Sequence, residues 1–319
     1  MYVGIDTSKD FFDATGLEEE QVVLQTQYSN KTAGFEQLLI SVKTCKMVII
    51  EATGPYYLPL AMFLSRNNIP VSVVNPLIIK RFSQMKMSRA KTDKKDSFLI
   101  AQYGQIHKPS LWKAPANSIV KIKQLDTYME GLAKRRQMAL NQLHAFQSSG
   151  DVDDQLVKEI KEEVALFDIK ISKIEKQIDK LIQKEHKDMA TYLRSIPGIG
   201  PKSAYLMIIA TNGFKDFENY KQVISYFGLA PRIYESGSSV RGSTKICKMG
   251  MSKVRKTLYM AARQAIRFNK ACKELYDRLR AKGKSHRLAL IAAVNKLIKQ
   301  AFSIVKNKKM YNPEYCAVQ

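Results

Sequence analysis

Tyr2-Val3-Gly4-Ile5-Asp6-Thr7-Ser8-Lys9-Asp10 opens the chain with an apolar run of strand length, Tyr2–Ile5, that ends in a carboxylate. Two more strand-length stretches follow, Phe11–Thr15 and Val22–Tyr28, with a Gly16 turn and the acidic turn Glu18–Glu20 between them. Apolar and aromatic runs joined in this way predict an antiparallel meander. Lys31–Lys43 then carries Phe35, Leu38, Leu39 and Val42 at helical spacing. Met47–Glu51 reads as a buried strand, Tyr56–Asn67 as a helix, and Val71–Val74 as a strand closed by Asn75-Pro76. Thr92–Ile106 predicts a further helix, with Thr92 as N-cap for Asp93 onward.

Three meander strands, a helix, then strands alternating with helices is the element order of an α/β RNase H-like domain. Pro109 and Pro115 bracket a linker that holds the only tryptophan, Trp112. A long helical region follows, over about 119–190. Within it Leu156, Ile160, Val164, Phe167, Ile171, Ile174, Ile178 and Leu181 recur in steps of four and three. That is the spacing of a coiled-coil seam. The interruption SSGDVDD (148–154) predicts a hairpin of two antiparallel helices. A seam alone does not say whether its partner lies in the same chain or in a second copy.

Beyond the arm, Ser195-Ile196-Pro197-Gly198-Ile199-Gly200 precedes the predicted helix Lys202–Ala210. A G-I-G turn between helices is either a plain tight turn or resembles a helix-hairpin-helix element, whose glycines let backbone N–H groups approach a DNA phosphate. A helix at Tyr220–Phe227, a polar loop Pro231–Gly250 and helices over 251–268, 270–281 and 285–306 make the rest mainly α-helical. The tail from Asn307 is expected to be loosely ordered.

The 319 residues carry 52 Lys/Arg against 29 Asp/Glu, a formal net charge of +23. Self-repulsion of this size opposes compaction, but a surface that binds a polyanion needs it, because each neutralised phosphate releases counterions. Residues 241–319 hold 20 Lys/Arg and 3 Asp/Glu, so +17 of the excess lies there and +6 in the other 240 residues. The alternative at this level is a merely basic protein. Cys45, Cys247, Cys272 and Cys316 are scattered, and His107, His144, His186 and His286 have no ligand spacing, which argues against a zinc site or a disulfide framework. The opening residues lack a signal-peptide pattern and no apolar run approaches the ~20 residues of a membrane span, so a cytoplasmic protein working on DNA is expected, without a membrane partner.

Asp6 closes the first strand and Glu51 a later one, in IIEATGP; Asp93 and Asp96 are three apart, hence on one face of a helix. Converging acids are costly unless cations neutralise them, and Mg²⁺ takes oxygen ligands and bridges phosphates. Two such ions could clamp the attacking and leaving oxygens of a phosphodiester. Any one of these acids alone reads equally as a cap or a solvated carboxylate. Asp10, Asp13, Glu18, Glu19 and Glu20 read as solvated turn acids.

The segment Tyr234-Glu235-Ser236-Gly237-Ser238-Ser239-Val240-Arg241-Gly242 is rich in Ser and Gly, and Lys245, Lys248, Lys253, Arg255 and Lys256 follow it. A serine there could attack phosphorus and form a phosphoserine ester, given activation and cations for the phosphate. A loop that grips phosphate without chemistry is the other option.

The stretches YVGIDTSKD, VIIEATGPYYLPLA, VSVVNP, KTDKKDS, SIPGIGPKSA, FGLAPRIYESGSSVRG and KMGMSKVRKTLYMAA together resemble the DEDD transposases of insertion-sequence family IS110, the bridge-RNA-guided recombinases related to the Piv DNA invertases. The resemblance covers nearly the whole chain. It implies a RuvC-like domain over 1–112, a coiled-coil arm over 113–190 and a helical transposase domain over 191–319. It implies Asp6, Glu51, Asp93 and Asp96 as metal ligands for Mg²⁺, with Mn²⁺ able to substitute, and Ser236 as nucleophile. Arg232, Arg241, Lys245, Lys248, Lys253 and Arg255 are candidates for neutralising phosphate. Implied partners are target and donor DNA, a noncoding bridge RNA, and further copies of the chain in a dimer or tetramer. Competing readings are a RuvC-like nuclease that hydrolyses with water, a Piv-type invertase needing no RNA, and a non-catalytic nucleic-acid-binding scaffold.

Overall fold

The computed structural model describes residues 1–87, 93–232, 235–236, 240–241 and 245–314, with backbone alone for Asp93, Lys94, Glu235, Ser236, Val240 and Arg241. The predicted cap Thr92, the loop serines Ser238 and Ser239, and Cys316 lie outside the described residues. The chain divides into two compact units, Met1–Ala114 and Pro115–Gln319.

The first unit is a five-stranded sheet between helices. Strands β1 (Tyr2–Thr7), β2 (Phe11–Glu18) and β3 (Gln21–Ser29) form the antiparallel meander, and β4 (Met47–Glu51) and β5 (Val71–Val74) run parallel to β1. The strand order is β3-β2-β1-β4-β5. Period-two alternation sends Val3, Ile5, Phe12, Ala14, Val48 and Ile50 to one face, where they form a core with Phe35 and Leu38 of α1 (Thr32–Val42) and Leu60 and Leu64 of α2 (Tyr57–Arg66). On the other face Ile49 and Val74 meet Ile79 of α3 (Pro76–Met85) and Ile100 of α4 (Asp93–His107).

Two glycines let α4 lie directly on the sheet. A Cβ on Gly4 would stand 2.2 Å from both the Ala101 nitrogen and the Ser97 carbonyl oxygen, and one on Gly104 would stand 2.2 Å from Ile49 Cδ1. Only a residue without a side chain permits that approach. Helix α3 was not anticipated, since Asn75-Pro76 reads as a strand end. The same dipeptide starts a helix: Asn75 Oδ1 accepts the Leu77 N–H at 2.9 Å, and Pro76 occupies the first turn, where no N–H is missed.

The second unit begins with a hairpin of two 32-residue helices, α5 (Asn117–Ser148) and α6 (Asp154–Glu185), capped at Asp153. Phe167, Ile174, Ile178 and Ile182 of α6 are buried in one core with Ile119, Ile122, Met129 and Leu132 of α5, and Ala139, Leu143 and Ile160 form a smaller cluster further out. Helices α7 (Lys187–Arg194), α8 (Pro201–Ala210), α9 (Tyr220–Tyr226), α10 (Ser252–Phe268), α11 (Lys270–Ala281) and α12 (His286–Asn307) complete the unit, with two-residue strands β6 (Pro231–Arg232), β7 (Glu235–Ser236), β8 (Val240–Arg241) and β9 (Lys245–Ile246) between α9 and α10. By length and composition alone α12 could cross a membrane. Its Leu290, Ala293, Val294, Leu297, Ile298 and Ala301 are fully buried in the core of this unit.

Candidate active site

Backbone register brings two of the expected acids together. In the parallel pair β1–β4, Gly4 stands beside Ile49 and Ile5 beside Ile50. One residue further in the same register, Asp6, the last but one residue of β1, comes level with Glu51, the last of β4. Each lies two residues beyond a member of the α4-facing set, Gly4 and Ile49, so both are on that face. Thr53 Oγ1 donates to Glu51 Oε1 at 3.1 Å.

On the other side of β1, Asp6 is paired with Asp13, and Asp13 in turn with Gln27. The α4-facing surface therefore carries a cross-strand row Gln27–Asp13–Asp6–Glu51. Asp13 is only 8% exposed and accepts a hydrogen bond from Gln27 Nε2 at 3.1 Å. This corrects its reading as a solvated turn acid. The strand β2 extends through Gly16 to Glu18 with a register shift at Gly16/Leu17, so Asp13 is a mid-strand residue and the turn begins later.

Helix α4 is held over this row at several points. Ser97 and Thr15 share a buried hydroxyl–hydroxyl hydrogen bond of 2.8 Å, and Thr15 is the partner of Gly4 in the sheet. Towards the C-terminal end, Gln105 Nε2 donates to the Glu19 carbonyl in the β2–β3 turn. The helix runs from the Thr15 level toward that turn, so its first turn, Asp93–Asp96, extends the opposite way, toward the end of β1 that carries Asp6. Asp96 is partly buried, and Asp93 is placed by its backbone only. Among the described residues no three of His, Cys, Asp and Glu form a group able to hold a metal ion. The register thus unites Asp6 and Glu51; it does not gather Asp96 with them into a three-acid cage.

Ser236 stands on a different kind of support. Pro231 pairs with Ile246, Arg232 with Lys245, Glu235 with Arg241 and Ser236 with Val240. Below them the Cys247 N–H donates to the Ala230 carbonyl at 2.9 Å and the Lys248 N–H to that of Gly228 at 3.0 Å. These pairings make an antiparallel finger that carries Ser236 opposite Val240. A polar loop was expected here; each strand is too short to leave an alternation in the sequence. The root of the finger is tight. Gly228 (φ 71°) and Gly250 (φ 128°) are left-handed, and a Cβ on Gly228 would stand 2.3 Å from the Met249 carbonyl oxygen and one on Gly250 2.4 Å from that of Tyr226, at the end of α9.

The six basic candidates separate into groups. Arg232 and Lys245 are exposed cross-strand neighbours on the finger, Lys248 is exposed at its root, and Arg241 is placed by its backbone only. Lys253 and Arg255 serve the chain itself. Lys253 Nζ lies 2.6 Å from Asp126 Oδ2 and 3.4 Å from Glu130 Oε2, tying α10 to α5. Arg255 Nη1 donates to the Phe227 carbonyl at 2.9 Å, at the C-terminus of α9. Asp126 also accepts from the Tyr205 hydroxyl at 3.0 Å, so one buried carboxylate joins α5, α8 and α10. Burial and the adjacent Asp126 push the Tyr205 phenol well above its usual range. Burial raises the Glu130 carboxyl, but Lys253 and Lys134 outweigh it and hold the group below its ordinary value. Sequence reasoning missed this network. Its signal was present: Asp126 interrupts an apolar stripe of Ile119, Ile122 and Met129 at helical spacing, where an acid needs partners.

Residues 3–148 match the IS110 family of DEDD transposases, described as "Transposase", and residues 190–277 match "Transposase IS116/IS110/IS902 family". The chain belongs to the IS110 family of DEDD transposases and is an enzyme of DNA recombination. It is similar to the "Pilin gene-inverting protein" of Moraxella bovis, 29% identical over 98% of this chain and 97% of that protein, and equally to that of Moraxella lacunata. The "Insertion element IS110 uncharacterized 43.6 kDa protein" of Streptomyces coelicolor is 28% identical over 43% of this chain and 33% of its own length.

Proposed function

We propose that this transposase cuts and rejoins DNA through a covalent serine intermediate, with an RNase H-like, RuvC-like first domain (1–112), a coiled-coil arm (113–190) and a serine-bearing domain (191–319). The observation that carries the reading is the placement of Asp6 and Glu51 at one level and on one face of adjacent parallel strands, with the first turn of α4 directed to the same end. Carboxylate oxygens suit a hard divalent cation. Mg²⁺ held by Asp6, Glu51, Asp93 and Asp96, with Mn²⁺ able to replace it, would neutralise phosphate charge and favour ionisation of the attacking hydroxyl.

The Ser236 hydroxyl oxygen bonds to phosphorus, the bond from phosphorus to the 3′ oxygen breaks, and that oxygen leaves with a proton as a 3′-OH. A 5′-phosphoserine remains. The 3′-OH of another strand then attacks it, restoring the serine and a phosphodiester without an external energy source. Arg232, Arg241 and Lys245 on the finger hold the phosphate's negative charge during both displacements. The acids and the serine come from one copy of the chain or from two copies in a dimer or tetramer. A bridge RNA pairs with target and donor DNA, supported by the family resemblance and the +17 C-terminal stretch.

Ser236→Ala tests the chemistry. Covalent protein–DNA adducts on denaturing gels are expected to vanish while duplex binding persists. An adduct that survives moves the nucleophile to Ser238, Ser239 or another residue, and strand cleavage without any adduct in the parent chain favours hydrolysis by water. Full activity in EDTA overturns the metal role. A second reading is an invertase that needs no RNA; the full-length similarity to the pilin gene-inverting proteins supports its inversion part. Recombination that survives RNase treatment selects it.

A further inference from the structure

A groove of about 660 Å³ runs between α6 and the helices α7 and α8. Lys176 and Lys180 on α6, Arg194 on α7 and Lys202 on α8 line it, with Glu175 and Asp179 as its acids. None of these six is in a salt bridge among the described residues. The acids stand on the α6 wall, interleaved with lysines; the charged groups on the α7–α8 wall are cations alone. Four cations therefore line a concave surface without a salt-bridge partner among the described residues, which leaves their charge available to a group outside the chain.

The two glycines of the turn have different reasons to be glycine. Gly198 (φ 103°) is demanded by packing, since a Cβ there would stand 2.7 Å from Ala265 Cβ and 2.9 Å from the Ala261 carbonyl oxygen on α10. That explains half of the G-I-G pattern without a ligand. Gly200 is not explained this way. Its φ of −86° suits any residue, and a Cβ would meet nothing within 4 Å. As the N-cap of α8 it is favoured over alanine by the helix start, but no packing contact inside the chain requires it. Close approach by an external backbone would, and Gly200 directly precedes Pro201 and Lys202 on the groove wall.

We infer that this groove binds the phosphodiester backbone of a nucleic acid, with Arg194 and Lys202 neutralising phosphates and Gly200 leaving room for the strand. The site rests on the recombinase reading only for the presence of DNA and RNA partners; neither the acids nor Ser236 enters it. Base edges are not read here, so both sources of the chemistry, a DNA duplex and an RNA hairpin, are assayed.

The experiment measures equilibrium binding of the full chain to a fluorescent duplex and to a fluorescent RNA hairpin over a salt series. Loss of two phosphate contacts is expected to reduce the slope of log K against log salt for the duplex by about 2 in Arg194→Gln/Lys202→Gln. Gly200→Asn is the sharper variant, because its Cβ enters open space and Asn caps α8 at least as well as Gly, so the fold has no reason to change. It is expected to weaken binding about tenfold or more at an unchanged melting temperature. A loss confined to one of the two probes names the nucleic acid in the groove. Both variants binding both probes like the parent, with melting unchanged, overturns the inference while leaving the recombinase reading intact. A parent chain that binds neither probe overturns both.

Discussion

In Met1–Ala114 two of the candidate acids, Asp6 and Glu51, sit on strands whose register is fixed by continuous backbone pairing, six residue pairs between β1 and β2 and four between β1 and β4. In Pro115–Gln319 the candidate nucleophile sits on a finger in which every strand is two residues long. The charges differ as well. The first unit has 14 basic and 10 acidic residues, net +4; the second has 38 and 19, net +19. Groups whose separation must hold within a fraction of an ångström are set by sheet register and glycine contacts. The charge proposed to grip a polyanion is spread over long helices, where the position of one cation matters less. Substitutions in the two units should therefore fail differently.

The largest separation is expected from Asp6→Asn. The amide keeps the shape but not the charge, so strand cleavage should fall at least about 100-fold, as when a key electrostatic group is removed from an active site. Duplex affinity should hold or rise, because a negative charge has gone. Cleavage assays beside binding titrations check this, and a joint loss of binding would dissolve the contrast between the units. Next in size is Gly4→Ala. Its Cβ meets two backbone atoms of α4 that have no side-chain freedom to yield, so the helix must lift, at about 1–3 kcal/mol or more. The counterpart is Gly131→Ala in α5, where a Cβ meets nothing; removing a mid-helix glycine should stabilise by about 0.5–1 kcal/mol. Calorimetry on the full chain reads both, as a lowered and a raised transition. Smaller again is Thr15→Val, which leaves the buried Ser97 hydroxyl without its 2.8 Å partner. It should cost about 1 kcal/mol and reduce cleavage more than binding, because Ser97 adjoins Asp96 on α4.

Much of the first unit was legible in the sequence because its signals are long and of a single period. The alternation through Val3, Ile5, Phe12 and Ala14 marks the core face, and Asp6 and Glu51 stand out as acids ending apolar runs. What was not legible depends on distance across the chain. Asp13 looks like a turn acid until β2 is known to pass Gly16, and nothing local says that Gly4 must touch Ala101. In the second unit the helical seam was readable from Phe167 to Ile178, and its partner in α5 was not. The use of Lys253 was hidden for the same reason. A lysine after a Ser/Gly-rich segment reads as a phosphate ligand, and its engagement by Asp126, 127 residues earlier in the chain, is a tertiary fact.

The smallest effect concerns His186, between α6 and α7, where the Ser118 hydroxyl lies 3.1 Å from Nε2. Burial holds its imidazole below the ordinary value of 6.5, assisted by Lys215 and opposed by Glu185. The folded chain therefore favours neutral His186. Between the folded and unfolded pKa values the unfolded chain binds more protons, so stability rises with pH across that window. This contribution is complete above 6.5 and is lost as pH falls through the depressed folded value. His186→Gln keeps a hydrogen-bonding partner for Ser118 but cannot titrate. It should flatten the acid limb of the melting temperature for the Pro115–Gln319 transition and leave that of Met1–Ala114 unmoved. Equal flattening of both transitions would mean that the units do not unfold independently, and the contrast drawn from their separate cores would then apply to placement of groups but not to stability.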